Sequence, residues 1–447
     1  MKLSRVWAFG LVMFAPGLGA VGAAALDAPR TLHHGKASES HLTEPHRAAG
    51  HRDAAHVAGP AARSAPTHAK AVHASAAHAA AIHTGATTAP AHLTARGQAR
   101  AGARRVALRS RRHHYYERFT ASSFARGNIG DGDITAGEDP LVRQAAIDAL
   151  GDMNGTAVVI DPSNGRILAM VNQKLALSPG AEPCSTIKLT VAMAALSEGL
   201  VTRDTMVQLP GFRMDMTTAL AKSNNLYFEE LGRELGFERV RHYATQFGLG
   251  ELAGYNIEGE QLGVYPDREL PASEGGVARM CSFGQGVSLT PLQLGAFVAA
   301  IANGGTLYYL QHPATPEEAA ALEPKVKRTL DIARYVPDLQ DGMAGAVEYG
   351  TARSLRANFH ELPVFGKTGT CSDKGTRFGW FASYSDTPQG SLVTVFFLEG
   401  GRPTFGPRAA ELTGEFYKNL WDRNYFAAKG QQDSASVPTA SSQQVQP

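Results

Sequence analysis

One short stretch organises this chain: residues 183–188 read Pro-Cys-Ser-Thr-Ile-Lys. An apolar helix pattern runs over 187–200, so Ser185 stands near the predicted start of a helix. Lys188 follows three residues later, and because positions i and i+3 share a helix face, its amine can reach the serine hydroxyl. A serine hydroxyl needs a base to take its proton, and a lysine can be that base when burial or a neighbouring cation lowers its pKa. The alternative is an N-cap serine followed by a solvated lysine.

A second motif, Ser223-Asn224-Asn225, lies between two helix patterns at 216–221 and 227–235. A hydroxyl and an amide two residues apart on a short turn can both point into one cleft. There the hydroxyl can relay a proton and the amide can bind a peptide group of a substrate. The alternative is an ordinary Ser-Asn helix cap.

A third motif, Lys-Thr-Gly-Thr, occupies residues 367–370 in a predicted edge strand. Alternation along a strand sends Lys367 and Gly369 to the same face. A glycine in a strand permits close approach of a substrate backbone, and a cation beside hydroxyls suits a terminal carboxylate. The alternative is an ordinary strand end with a glycine turn.

The patterns around these motifs predict an α+β fold. Five strand patterns fall near the two ends of the body, at 157–160, 166–171, 363–370, 378–383 and 391–398, with helix patterns at 139–150 and 411–420. Residues 185–347 are mainly helical in pattern. We therefore expect a five-stranded antiparallel sheet flanked by helices, with a mainly helical lobe inserted between its strands. Catalytic groups would lie in the cleft between the sheet and that lobe.

Both ends of the chain differ in composition from this body. Residues 1–27 combine early positive charges with an apolar run, which is typical of a cleaved signal peptide or of an anchor over 6–26. Residues 28–116 hold 13 of the 16 histidines and few large apolar side chains, so we expect a disordered arm. Its basic end could contact anionic lipid or cell-wall polymer. The polar tail 427–447 is also expected to be disordered, and export makes nucleic acid an unlikely partner class.

In this order the three motifs match a set shared by penicillin-binding proteins and class A β-lactamases. Over about residues 139–425 the chain resembles the penicillin-binding protein transpeptidase family. The resemblance extends to the hairpin at 157–170, Phe-Gly-Gln-Gly at 283–286, Thr-Pro-Leu-Gln at 290–293 and Gly-Trp-Phe-Ala-Ser-Tyr at 379–384. It implies that 117–426 form a transpeptidase domain of β-lactamase/transpeptidase-like fold. It also implies action on D-Ala-D-Ala peptide stems of peptidoglycan and covalent inhibition by β-lactams, without metal or organic cofactor.

The resemblance assigns a role to each catalytic candidate. Ser185 would attack the substrate carbonyl and form an acyl-enzyme, with Lys188 as its base. The second cation, Lys367, would help to lower the pKa of that base. Ser223 would pass a proton toward the leaving D-alanine, and Asn225 would hold the peptide.

The same resemblance assigns the substrate-binding residues. Lys367, Thr368 and Thr370 would bind the substrate carboxylate, with Gly369 giving the strand its close approach. The backbone N–H groups of Ser185 and Thr370 would form the oxyanion hole, where one donor is typically worth about 10²–10³-fold in rate.

The chain has three cysteines, Cys184, Cys281 and Cys371. The offsets of Cys184 and Cys371 from the first and third motifs resemble those of the active-site disulfide in class A carbapenemases. Because an exported chain can keep such a bridge, we hypothesise a Cys184–Cys371 disulfide. Two buried thiols are the alternative, and Cys281 is expected to be buried and unpaired.

Other functions stay open. A serine β-lactamase is the alternative enzyme, but residues 226–348 contain no Glu-x-x-Leu-Asn to activate a deacylating water. A β-lactam sensor or a cell-wall-binding protein with an inactive site would be a non-enzyme, which the retained motif residues disfavour.

The spacing of 38 residues between Ser185 and Ser223 is shorter than expected for the family, which puts the placement of Ser223 in question. Whether water or a peptide amine accepts the acyl group depends on the shape of the cleft.

Overall fold

The computed structural model describes residues 120–387 and 390–427. The predicted signal or anchor at 1–27, the arm at 28–116 and the tail beyond 427 lie outside these residues. Within the described ranges, no helix combines the length and apolarity needed to cross a membrane.

Ten α-helices and nine strands make up the described part of the chain. In order they are α1 (Pro140–Leu150), β1 (Gly155–Asp161), β2 (Arg166–Val171), α2 (Gln173–Ala176), α3 (Lys188–Ser197), β3 (Val207–Leu209), β4 (Phe212–Met214), α4 (Met216–Ala221), α5 (Asn225–Gln246), α6 (Gly276–Phe283), α7 (Pro291–Ala302), β5 (Thr306–Tyr308), α8 (Pro316–Ala320), β6 (Val326–Thr329), α9 (Val336–Glu348), β7 (Val364–Asp373), β8 (Thr376–Thr387), β9 (Gly390–Gly400) and α10 (Gly406–Asp422).

Five strands form one antiparallel sheet in the order β2-β1-β9-β8-β7. Strands β1 and β2 precede the helical lobe in sequence and the other three follow it, which confirms the predicted α+β architecture. One row of paired residues crosses the whole sheet, from Met170 through Val158, Val395 and Ala382 to Lys367 on the edge strand. The four apolar members of this row lie in the core on the side of α3. Lys367 therefore extends the same face at the edge of the sheet.

Both faces of the sheet are covered, which explains why β1 and β9 read as continuous apolar runs. Val158 and Ile160 of β1 pack into the core formed with α3, α5 and α7. Ala157 and Val159, which alternate with them, pack against α1 and α10. The sheet is thus the middle layer of three.

Helix α3 is the centre of the helical lobe. Every residue from Lys188 to Leu196 is buried, as expected for a helix that is enclosed on all sides. Its first residue, Lys188, is 0% exposed. The position of the helix therefore forces an amine into the protein interior.

The lobe is less uniformly helical than the sequence patterns predicted. It contains two small antiparallel pairs, β3–β4 and β5–β6, and irregular chain between α5 and α6. The β3–β4 turn depends on Gly211, whose φ of 84° is in the left-handed region and is accessible to glycine without strain. Helix α10 is longer than the predicted 411–420 because Pro407 in its first turn is compatible with a helix start.

Gly414 offers a test of the packing of α10 on the rest of the domain. A Cβ at this position would overlap the backbone carbonyl oxygen of Leu355, which cannot move aside as the end of a side chain can. Overpacking costs about 1–3 kcal/mol, against a gain of about 1 kcal/mol in helix propensity for alanine over glycine. Gly414→Ala should therefore lower the midpoint of urea unfolding. Gly127→Ala, where no atom lies within 4 Å of the added Cβ, is the control. A raised midpoint for Gly414→Ala would contradict this packing.

Candidate active site

Ser185 lies in a short 3-10 turn, Cys184–Ile187, that leads directly into α3. Cys184 has a φ of 53°, a conformation that costs most non-glycine residues about 1–2 kcal/mol. The Thr186 hydroxyl donates to the Pro183 carbonyl at 2.7 Å, which tightens the turn. Ser185 stays partly exposed while Thr186 and Ile187 are buried. The turn therefore presents one hydroxyl at the surface of the cleft.

Four oxygens surround the amine of Lys188. Its Nζ lies 3.0 Å from Ser185 Oγ, 2.9 Å from the Ser223 carbonyl oxygen, 3.2 Å from Ser223 Oγ and 2.6 Å from Asn225 Oδ1. An ammonium has three protons to donate, so these four acceptors compete for them. The structure thus brings Ser185, Lys188, Ser223 and Asn225 into one contact group, despite the short spacing between the first two motifs.

Burial decides the protonation of this lysine. Desolvation lowers the pKa of Lys188 to about 7, against a smaller opposing effect of the Glu229 carboxylate. All four of its hydrogen-bond partners are neutral, so they compensate only part of the lost hydration. Near neutral pH a substantial fraction of Lys188 is therefore the free amine, which can accept the Ser185 proton.

In the turn between α4 and α5, one residue caps the helix and its two neighbours contact Lys188. Asn224 caps α5, since its Oδ1 accepts from the Tyr227 backbone N–H at 3.0 Å. Ser223 has a φ of 54°, which is uncommon for a residue other than glycine. The helix cap expected as the alternative is therefore present, but it is Asn224. The side chains of Ser223 and Asn225 both accept hydrogen bonds from Lys188.

A second buried amine reaches the same serine from the sheet. Lys367 Nζ donates to Ser223 Oγ at 2.8 Å and to the Thr368 carbonyl at 3.0 Å. Its pKa is held well below the ordinary value by desolvation and by the positive charge of Lys188. The Ser223 hydroxyl is therefore in contact with two lysines.

The strand glycine serves a different neighbour from the one expected. A Cβ on Gly369 would lie 2.8 Å from the Pro183 carbonyl oxygen and 3.1 Å from the Thr186 methyl group. The space that we expected a substrate backbone to occupy therefore holds the Cys184–Ile187 turn. Gly369 allows the turn that carries Ser185 to lie directly against β7.

The two threonines of the third motif have different environments. The Thr368 residue is 4% exposed, and its hydroxyl lies 2.6 Å from the hydroxyl of Thr351. Thr370 is exposed, and its hydroxyl accepts from the Gly406 backbone N–H at the start of α10 at 2.8 Å. Of the two hydroxyls, that of Thr370 is the more accessible to a ligand.

The structure joins Cys184 to Cys371 by a disulfide, with their Cα atoms 5.5 Å apart. The bridge links the Cys184–Ile187 turn to β7 two residues beyond Gly369. The predicted oxyanion donors, the backbone N–H groups of Ser185 and Thr370, lie next to the two half-cystines. Cys281 is a buried free thiol, and burial raises its pKa.

Sequence reasoning missed three neighbours of these groups. Thr351 contacts Thr368, Phe228 places its ring centroid 5.6 Å from Lys188 Nζ, and Glu229 acts on the charge of Lys188. Thr351 follows α9 without any motif, and only folding brings it to β7. Phe228 and Glu229 were within reach of helix periodicity, because they follow Asn225 by three and four residues on α5.

This geometry supports acyl transfer. The Ser185 hydroxyl lies beside the amine of Lys188, whose pKa is lowered, and the Ser223 hydroxyl can relay a proton. The accessible hydroxyl of Thr370 lies on the edge strand β7.

Comparisons with known proteins also indicate acyl-transfer chemistry, because they match transpeptidases. The model of the penicillin-binding protein transpeptidase domain matches residues 155–418. Stage V sporulation protein D of Bacillus subtilis is 30% identical over 317 residues, which are 59% of this chain and 48% of that protein. The peptidoglycan D,D-transpeptidase MrdA of Acinetobacter baumannii is 25% identical over 368 residues, 64% of this chain and 54% of that protein. The chain thus spans about half the length of the curated relatives it matches.

A solved structure shares the fold. Penicillin-binding protein 3 from Mycobacterium tuberculosis in its apo form superposes with a TM-score of 0.52 at 23% identity, over 64% of this chain and 76% of that one.

Counting thiols tests the arrangement of the cysteines. If Cys184 and Cys371 are bonded, the denatured and unreduced protein should bind one maleimide, at Cys281, and the reduced protein should bind three. Mass spectrometry after proteolysis should find the 184 and 371 peptides linked in the unreduced sample. Three maleimides without reductant would contradict the bridge.

Proposed function

The chain belongs to the penicillin-binding protein transpeptidase family, and from this membership we propose that it is a serine D,D-transpeptidase or carboxypeptidase. Its substrates would be the D-Ala-D-Ala peptide stems of peptidoglycan, and β-lactams would acylate the same serine. The contact group around Lys188 supports this function most directly, because its buried amine, with a pKa of about 7, lies 3.0 Å from Ser185 Oγ.

In the acylation step, Ser185 Oγ would attack the carbonyl carbon of the penultimate D-alanine. Its proton would pass to the free amine of Lys188 as the oxygen–carbon bond forms. The carbon–nitrogen bond to the last D-alanine would then break. The departing nitrogen needs a proton, and Ser223 could pass it from Lys188, since its hydroxyl lies 3.2 Å from that amine.

The substrate carboxylate would bind beside β7. Lys367 contributes a nearby amine, and the accessible Thr370 hydroxyl can donate to an anion. Thr368 would act mainly by supporting the strand, because its hydroxyl is already paired with Thr351. The backbone N–H groups of Ser185 and Thr370 would stabilise the oxyanion. Asn225 would bind the peptide in addition to its hydrogen bond with Lys188.

Deacylation needs a second nucleophile. A peptide amine would give a cross-link and water would give a shortened stem. In either case Lys188 would again accept a proton and return it to Ser185 Oγ. This chemistry would take place in the cell envelope, with residues 1–27 directing export or anchoring the chain at the membrane.

A time course with fluorescent penicillin tests the proposed reaction. The wild type should become labelled, and Ser185→Ala should not. After a chase with unlabelled penicillin, the label should persist, because the described site shows no carboxylate in contact with Ser185 that could activate a deacylating water. Label that drains within minutes would indicate a β-lactamase, and no label on either protein would contradict the assignment of the site.

The pH dependence of labelling tests the role of Lys188. Because burial lowers its pKa to about 7, the free amine is present above that pH and is lost by protonation below it. The second-order rate of acylation should therefore rise with pH through a midpoint near 7. A lysine of ordinary pKa would place the midpoint near 10, and such a result would contradict the proposed base. Circular dichroism at each pH provides the control for folding.

A further inference from the structure

Two buried amines without an ion-pair partner pose a problem of charge balance. Lys188 and Lys367 are each 0% exposed, and their hydrogen-bond partners are hydroxyl, amide and carbonyl oxygens. Burial of a cation is unfavourable unless an opposite charge lies nearby. Among the described residues, neither amine has a carboxylate within 4 Å.

Glu229 lies on α5, the helix whose first residue belongs to the contact group. Asn225, at the start of the same helix, accepts from Lys188 at 2.6 Å. Glu229 follows it by four residues, so the two side chains lie on the same helix face about 5–6 Å apart at Cβ. The ring of Phe228, adjacent to Glu229, lies 5.6 Å from the amine. The carboxylate of Glu229 thus begins one helical turn from the contact group.

Two contacts, one buried and one at the surface, fix the position of this carboxylate. Ser282 of α6, which is fully buried, donates its hydroxyl to Glu229 Oε1 at 3.4 Å. Arg233, one turn further along α5, lies 3.4 Å from Oε2. The side chain of Glu229 is 17% exposed, so solvent screens it only in part.

We propose that Glu229 is a positioning residue for the reaction, whose negative charge sets the balance between the protonated and free forms of the Lys188 base. This rests on the proposed function, because the role exists only if Lys188 takes the Ser185 proton. In the absence of the carboxylate, the free amine would persist to lower pH. Glu229 is also the group that raises the pKa of Lys188 against desolvation.

Several other charged groups on the elements around α3 and α5 contact other side chains or stay neutral. On α6, Arg279 donates to Gln285 Oε1 at 3.2 Å and lies over the Phe283 ring. Lys367 of β7 is the second cation of the site. Burial keeps the thiol of Cys281 on α6 neutral. Asp215 caps α4 by accepting from the Thr218 backbone N–H. On α9, Asp338 and Asp341 pair with Arg203, and next to it Arg334 pairs with Asp331. Glu229 is therefore the anion best placed to act on Lys188.

The neighbouring glutamate provides a matched control. Glu230 also pairs with Arg233, at 2.7 Å, but it follows Asn225 by five residues and is 37% exposed. Glu229→Gln and Glu230→Gln remove the same charge from adjacent positions of one helix. Only Glu229→Gln should change the titration of the contact group.

The experiment is the rate of penicillin acylation from pH 5 to 9 for the wild type and both variants. For Glu229→Gln, the pH at which the acylation rate is half its maximum should fall by about 0.5–1 unit. This is the effect expected when one partly buried charge near the amine is removed. At a pH well below the midpoint, labelling should become about 3–10-fold faster. Glu230→Gln should keep the midpoint of the wild type.

A second variant tests the same charge in the opposite direction. Arg233 is 54% exposed, so Arg233→Gln should fold, and removal of its positive charge should move the midpoint to higher pH. If the wild type is labelled but Glu229→Gln keeps its midpoint, the proposal is wrong. A uniform loss of rate at all pH values would indicate a merely structural role and would also overturn it. If Glu229→Gln does not fold, an unmoved midpoint for Arg233→Gln overturns the proposal. An unlabelled wild type would instead contradict the proposed function.

Discussion

The contact of two buried lysines with the hydroxyl of Ser223 is the constraint on which the site depends. Lys188 is buried because it opens a helix that the protein encloses on all sides, and Lys367 is buried because it ends an apolar row across the sheet. Loss of hydration lowers the pKa of each amine, and the positive charge of Lys188 lowers the pKa of Lys367 further. The expected effect of Lys367 on Lys188 is not among the causes of the lowered pKa of Lys188, which is set by desolvation against the opposing charge of Glu229. The same burial that is unfavourable for folding therefore produces a free amine near neutral pH, which a surface lysine could not provide.

A sheet built from both parts of the chain makes this contact possible. The Cys184–Ile187 turn belongs to the segment after β2, whereas Lys367 belongs to β7. The cysteines that join the two segments are 187 residues apart in sequence. Gly369 lets the turn lie against the strand, and the bridge holds the two together beside Ser185. A disulfide that closes a long loop can add about 2–4 kcal/mol to stability.

Local patterns predicted much of this arrangement. The five strands were visible as short apolar runs between turn residues, and the reach of Lys188 to Ser185 follows from helix geometry alone. The sequence could not show which residue of the second motif caps α5, because Ser223 and Asn224 are both good caps. It also assigned Gly369 to a substrate, whereas the structure places the Pro183 carbonyl there. Contacts of this kind, like that of Thr351 with Thr368, depend on tertiary packing and leave no local signal.

Ser185 is the proposed nucleophile of this contact group. The most direct test of this assignment is to incubate the protein with penicillin, digest it and locate the acyl group by tandem mass spectrometry. We expect one adduct, on Ser185, in the peptide that contains Cys184 and Lys188. An adduct on Ser223, whose hydroxyl contacts both amines, would contradict this assignment. So would labelling spread over surface lysines.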